Sequence, residues 1–258
     1  TFNSVAFSCN GNRNEATAYE PGSGSTIMGY AGICDPQNIQ ENSDDYFHTI
    51  SLDEMITFLN FGLGNTCGTA SATNNTPPTV DAGASFSIPL NTPFTLTGSA
   101  TDPDQTAALT YNWEEFDLGP AGDPRFPSRT APIFPSFSAT RSPSRPFTQI
   151  SDLVNNTQTF GELLPSYGRT MNFRLTVRDN QTPAGGVAYD LTTVTAVDGT
   201  GPFLVTDPNV AETWTGNTFE TVSWNVAGTA AAPISCANVT ISLSTDGAFT
   251  YPTILAAN

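Results

Sequence analysis

Lysine is absent from this 258-residue chain, histidine occurs once, and arginine supplies the only other side-chain cations. Against 8 arginines stand 24 acidic residues, for a formal net charge of −16. A surface of that sign repels phosphate backbones and anionic headgroups, so neither nucleic acid nor an anionic membrane surface is an expected partner. Apolar runs are short as well. None approaches the roughly 18 residues that a membrane-crossing helix needs, so no transmembrane segment is expected. Nor does a basic stretch followed by an apolar one open the chain, as a signal peptide would. The chain reads as a mature exported one, its leader removed.

Cysteine is sparse and scattered. Cys9, Cys34, Cys67 and Cys236 lack the close pairing that a zinc knuckle requires. Few charges, few cysteines and many Thr, Asn, Ser and Gly residues fit an oxidising, secreted or cell-surface setting. A Cys9–Cys34 bridge would close a loop worth about 3 kcal/mol on the chain-entropy model. Cys67 and Cys236 fall in different regions, and their partners are expected outside the chain. The acidic residues read chiefly as a solubilising surface, although loop carboxylates are also the ligands that calcium prefers.

What is present divides into three regions. Residues 1–68 are loop-rich to about residue 50. Ser51-Leu-Asp-Glu54 then forms a capping-box pattern, followed by Leu52, Met55, Ile56 and Leu59 at helical spacing and Gly62 as a stop. This predicts one amphipathic packing helix. Residues 69–78, small and polar and ending in Pro77-Pro78, read as a linker. Residues 79–197 read as all-β, with alternating runs at Phe86–Ile88, Phe94–Thr97, Leu109–Trp113, Phe173–Val177 and Tyr189–Val194. A sandwich is the natural outcome, with Trp113 as its core aromatic. Residues 119–146, with seven prolines and four arginines, interrupt that pattern as a long insertion. Residues 198–258 are again β in character (Thr221–Val226, Val239–Leu243) but short for a closed sandwich, so an incomplete one is expected. The fold class is therefore mainly β: one helix in a loop-rich first region, then tandem immunoglobulin-like sandwiches.

Ser25-Thr-Ile-Met-Gly-Tyr30 carries the most specific signal. An Ile-Met-x-Tyr turn after a Gly/Ser-rich loop resembles the Met-turn of the metzincin zinc peptidases. With Thr1-Phe2-Asn3, Cys9-Asn-Gly-Asn-Arg13, Tyr19-Glu-Pro-Gly-Ser-Gly24, Ala31-Gly-Ile-Cys34 and Asn42-Ser-Asp-Asp-Tyr-Phe-His48, it makes about a quarter of the chain similar to the segment after the zinc helix in secreted bacterial reprolysin-like and pappalysin-like metallopeptidases. The resemblance implies that Met28 is a hydrophobic base beneath the metal and that Tyr30 contacts zinc or an oxyanion. Tyr46 and His48 would belong to the wall of the substrate pocket, and Thr1 would follow the last zinc histidine. The H-E-x-x-H helix of that clan has no counterpart in this sequence, and His48 alone cannot hold a catalytic zinc, which needs three protein ligands. The chain by itself is expected to be inactive, with zinc as the cofactor of the intact parent enzyme.

The second region resembles a PKD-type or cadherin-like immunoglobulin module through Pro78-Thr-Val-Asp-Ala-Gly83, Thr97-Gly-Ser-Ala-Thr-Asp-Pro-Asp104, Leu109-Thr-Tyr-Asn-Trp-Glu114 and Phe173-Arg-Leu-Thr-Val-Arg-Asp-Asn180. Asp102, Asp104 and Asp179, with Asp81 a weaker fourth, are its calcium candidates; read without the resemblance they are turn formers. In the third region Ser244-Thr-Asp-Gly-Ala-Phe-Thr-Tyr251 resembles an Asp-box hairpin, a structural motif.

Two functions from different classes follow. One is a part of a secreted zinc metalloendopeptidase, a hydrolase of proteins or peptides, with accessory β-sandwiches. The other is a non-enzymatic cell-surface adhesion or filament protein that meets other copies or surface proteins through sandwich edges. Carbohydrate binding through Trp214, Trp224 or the aromatics Phe126, Phe134 and Phe137 is a third and weaker reading, because core packing accounts for both tryptophans.

Overall fold

The computed structural model describes residues 1–104, 109–182 and 184–257. Asn258, the last residue of the third region, lies outside the described residues. The chain is mainly β, with twelve strands among the described residues and one helix of more than two turns, α1 (Thr49–Phe61).

Eight strands lie between residues 79 and 197: β1 (Thr79–Asp81), β2 (Phe86–Pro89), β3 (Phe94–Thr97), β4 (Ser99–Thr101), β5 (Thr110–Glu115), β6 (Ser144–Phe147), β7 (Arg169–Arg178) and β8 (Val187–Val197). A four-stranded sheet runs in the order β2-β8-β7-β5. Its pairs are antiparallel except β2 with β8. The remaining strands pair as antiparallel ribbons, β1 with β4 and β3 with β6.

The period-2 alternation of β7 explains the layering. Met171, Phe173, Leu175 and Val177 share one face and are fully buried. They meet Phe94 and Leu96 from β3 and Phe147 from β6 in a single core. Trp113 joins that core, and its indole N–H donates to Pro143 O at 2.9 Å.

The insertion over residues 119–146 is more deeply built in than its lack of strand pattern suggests. Ile133 and Phe134 are buried in the core. The rings of Phe94, Phe134, Phe147 and Phe173 stand 4.8–6.1 Å apart, mostly edge-on, a favourable aromatic geometry. Glu115 holds the plug in place, its Oε2 accepting the amides of Ile133 and Phe134 at 2.6 and 2.8 Å.

The first region packs on the opposite face of the same sheet. Arg174, projecting outward from β7, donates to Asp53 at 2.6 Å and to Thr49 at 3.1 Å, both on α1. Its guanidinium lies between the rings of Phe116 and Tyr189, at 3.7 and 3.8 Å.

Two readings of the helix need correction. Its N-cap is His48, whose Nδ1 accepts the Ile50 amide at 3.2 Å, while the Ser51 hydroxyl is buried without a partner. The helix therefore starts two residues before Ser51, and the capping box does not form. The apolar spacing also does not translate into a packed face: Thr49 and Ser51 are the buried residues of α1, and Ile56, Phe58, Leu59 and Phe61 are exposed. Contact with Glu114 and Arg174 of the sheet, rather than the apolar stripe, seats the helix.

The third region contains two separate two-stranded ribbons, β9 (Leu204–Asp207) with β10 (Ser223–Asn225) and β11 (Thr240–Leu243) with β12 (Thr253–Ala257). Its side chains are mostly exposed, and Trp214 stands 42% exposed rather than in a core. The turn between β11 and β12 is organised by Asp246, which accepts from the amide and hydroxyl of Thr250 and from Ser244. Those bonds hold its carboxyl down at about 2.

Candidate functional site

The loop carrying Met28 is organised by a buried carboxylate. Glu20, 1% exposed, accepts the amides of Ser25 and Thr26 on Oε1 at 2.9 and 3.0 Å. Its Oε2 accepts the hydroxyls of Thr26, at 2.7 Å, and Thr1. Burial alone would raise this carboxyl. The attraction of His48 and the hydrogen bonds from Thr1, Ser25 and Thr26 outweigh it and hold the group below its ordinary range. Gly24 lets the chain pass: its φ is +67°, and a Cβ there would stand 3.1 Å from the Glu20 carboxylate.

The turn closes through two backbone bonds, Gly29 N–H to Thr26 O at 2.8 Å and Tyr30 N–H to Ser23 O at 2.7 Å. Met28 stands at its tip, 54% exposed, and the carbonyl of Met28 accepts from the Thr1 amino group at 3.2 Å. Tyr30 stacks on Phe2 with ring centroids 4.3 Å apart. Both rings pack against the Cys9–Cys34 disulfide, which joins residues 25 apart. Cys67 and Cys236 are free and exposed.

Tyr46 and His48 point into the seam with the sheet. The Tyr46 hydroxyl donates to Ser136 Oγ at 2.8 Å, and Ser136 donates to Glu114 Oε1 at 2.6 Å. Glu114 Oε2 accepts the Thr49 amide at 3.0 Å. His48 Nε2 faces Glu114 Oε1 at 3.7 Å. Burial pushes the Tyr46 phenol far above its ordinary value, against the hydrogen bond from its own hydroxyl to Ser136. The His48 ring is 1% exposed, its Nδ1 accepts the Ile50 amide and its Nε2 faces Glu114, so it does not fit the role of a zinc ligand.

The four aspartates brace backbone. Asp81 accepts the Gly83 amide at 2.9 Å, and Asp102 accepts that of Asp104 at 2.8 Å. Asp104 accepts the Thr76 amide at 2.6 Å, and Asp179 accepts the Asn75 side chain at 2.7 Å. Asp179 also takes the amides of Gln181 and Gly186. Asp104 and Asp179 thus tie Asn75 and Thr76 to the loops that follow β4 and β7. Among the described residues, no group of three or more His, Cys, Asp or Glu side chains is placed to hold a metal ion.

Sequence reasoning did not single out Glu20, Glu114, Ser136 or Arg174, which organise the loop and the seam. For Glu114 a signal was present. Glu114-Glu115 is a carboxylate pair inside a β-strand, where successive residues face opposite sides, so both layers receive a buried charge.

Compared with known proteins, the chain matches no protein-family model and no curated protein sequence.

Proposed function

We propose that this chain forms the Met-turn and C-terminal part of the catalytic domain of a zinc-dependent metalloendopeptidase, secreted or held at a cell surface, followed by accessory β modules. The observation that supports this most is the placement of Thr1 against Met28. By the resemblance, residue 1 follows the last zinc histidine and the turn methionine lies beneath the metal. Here the Thr1 nitrogen stands 3.2 Å from the Met28 carbonyl oxygen, across 27 positions of chain. The tip formed by Ile27 and Met28 is apolar and open, as a surface on which a further element sits would be. Tyr30, one turn on and held by the disulfide cluster, is the residue of this chain nearest in role to the chemistry. The zinc ligands and the general base belong to residues outside this sequence. Its substrates are proteins or peptides.

The test is intact mass with metal analysis on the native protein, captured with an antibody against this chain. A longer species carrying one zinc per molecule, with peptidase activity lost on chelation, is the expected result. A native species beginning at Thr1, free of zinc and inactive, would overturn the reading. It would leave the second one, a surface protein assembling through strand edges. The exposure of every residue of β12 favours that alternative.

A further inference from the structure

The first four amides of an α-helix find no partner within it. In α1 all four end on two residues. Those of Ser51 and Leu52 donate to the carbonyl of His48, at 2.9 and 3.3 Å. The Ile50 amide donates to His48 Nδ1 at 3.2 Å, and the Thr49 amide to Glu114 Oε2 at 3.0 Å.

Imidazole differs from the commoner caps in that its acceptor is also its base. A nitrogen that accepts an N–H bond carries no proton, so the neutral ring holds its proton on Nε2, the atom that faces Glu114 Oε1 at 3.7 Å. A second proton has one place to go, Nδ1, where it meets the Ile50 N–H and leaves that amide without an acceptor. Asparagine and serine at the same position have no such proton to gain.

The surroundings hold the charge that results. Glu114 stands beside the ring, and Glu20, kept ionised by its own hydrogen bonds, attracts it as well. Tyr19 stacks along the ring with centroids 6.1 Å apart, and Tyr46 shares Ser136 with Glu114. The cations of the sheet are turned to other partners: Arg174 to Asp53 and Thr49, and Arg178 to the Phe47 carbonyl at 3.5 Å. An imidazolium can therefore form in place, and what is lost is the cap.

We propose that His48 is a proton-operated catch on α1: in a mildly acidic medium the ring takes a proton at Nδ1, the bond to Ile50 breaks, and the first turn of the helix opens. The effect reaches beyond that turn because the turn is the helix's seat. Thr49 and Ser51 are its buried residues, whereas Ile56, Phe58, Leu59 and Phe61 are exposed. Arg174 keeps its bond to Asp53, so α1 loosens without leaving the sheet. The catch does not depend on the peptidase reading.

The chain has one histidine, so its ring signals are unambiguous. Nitrogen-15 NMR from about pH 8 to about pH 5, the range in which imidazole is the switching side chain, reads the ring and the amides together. The neutral ring should be the Nε2–H tautomer. The exchange protection of Ile50, corrected for the intrinsic rate, should fall about fivefold or more with the midpoint of the ring, the loss expected for one cap bond, while β7 keeps its protection. His48→Asn retains an acceptor that gains no proton and should keep the Ile50 protection level over the same range. Glu115, raised to about 8 on the opposite face of β5, is common to both proteins and is controlled by that comparison. An Nδ1–H tautomer, a ring that stays neutral down to pH 5, or a ring that titrates with no change at Ile50 would overturn the proposal on the parent chain alone. The same fall in a folded His48→Asn variant would overturn it too.

Discussion

At the scale of single residues, buried carboxylates decide how this chain is put together. Glu20 accepts hydrogen bonds from Thr1, Ser25 and Thr26 in a site where water does not reach, so it is an internal template for the Met28 loop. Glu20→Ala strands the amides of Ser25 and Thr26. The expected cost is about 3 kcal/mol, read from the urea midpoint, with Glu20→Gln costing less because one carbonyl oxygen remains to accept. An alanine variant as stable as the parent would show that the loop holds without its template. The disulfide acts on the same loop from the other side. Replacing Cys9 and Cys34 by serine together should cost about 3 kcal/mol by thermal unfolding, most of it through the freer unfolded chain.

At the scale of elements, the seam between α1 and the sheet is polar, and Arg174 is its pin. Arg174→Met keeps much of the stem packing between Phe116 and Tyr189 but removes the bonds to Thr49 and Asp53. The loss of a largely buried charge partner should cost about 2–4 kcal/mol. Hydrogen exchange should rise across residues 46–61 while β7 and β8 stay protected. Uniform loss of protection would mean that the seam and the sheet unfold as one unit. The exposed apolar residues of α1 follow from the same arrangement. A helix seated by its first turn has no need to bury its last two.

For the whole molecule, pH is the informative variable. Burial raises the Glu115 carboxyl to about 8 even with Arg169 at 3.1 Å, and raises Asp117 beside the same guanidinium. A carboxyl whose folded pKa lies above its unfolded value contributes stability that is complete below the unfolded pKa and lost as pH rises through the folded one. For Glu115 that window runs from about 4.5 to about 8. The melting temperature should therefore fall between pH 5 and pH 9, and Glu115→Gln should flatten the fall. Glu20 works in the opposite sense, its lowered pKa withdrawing stability as pH drops below the ordinary carboxylate range. A maximum of stability at mildly acidic pH is the expected sum, and a melting temperature that climbs steadily to pH 9 would contradict it.

Local pattern alone determined the β character of residues 79–197. Alternation at Phe94–Thr97 and Phe173–Val177 leaves a strand one way to bury its large side chains, and Trp113 follows as a core residue. Gly62 as the end of α1 was legible for a similar local reason, since the chain must leave the helix there. The cap at His48, the core role of Phe134 and the shared site of Glu114, Ser136 and Tyr46 were decided only by the tertiary structure. Each depends on a partner from a distant part of the chain: His48 and Tyr46 are fixed by groups on β5 and on the insertion. Residue spacing reports which face a side chain takes, whereas the group it meets there is set by how the layers come together.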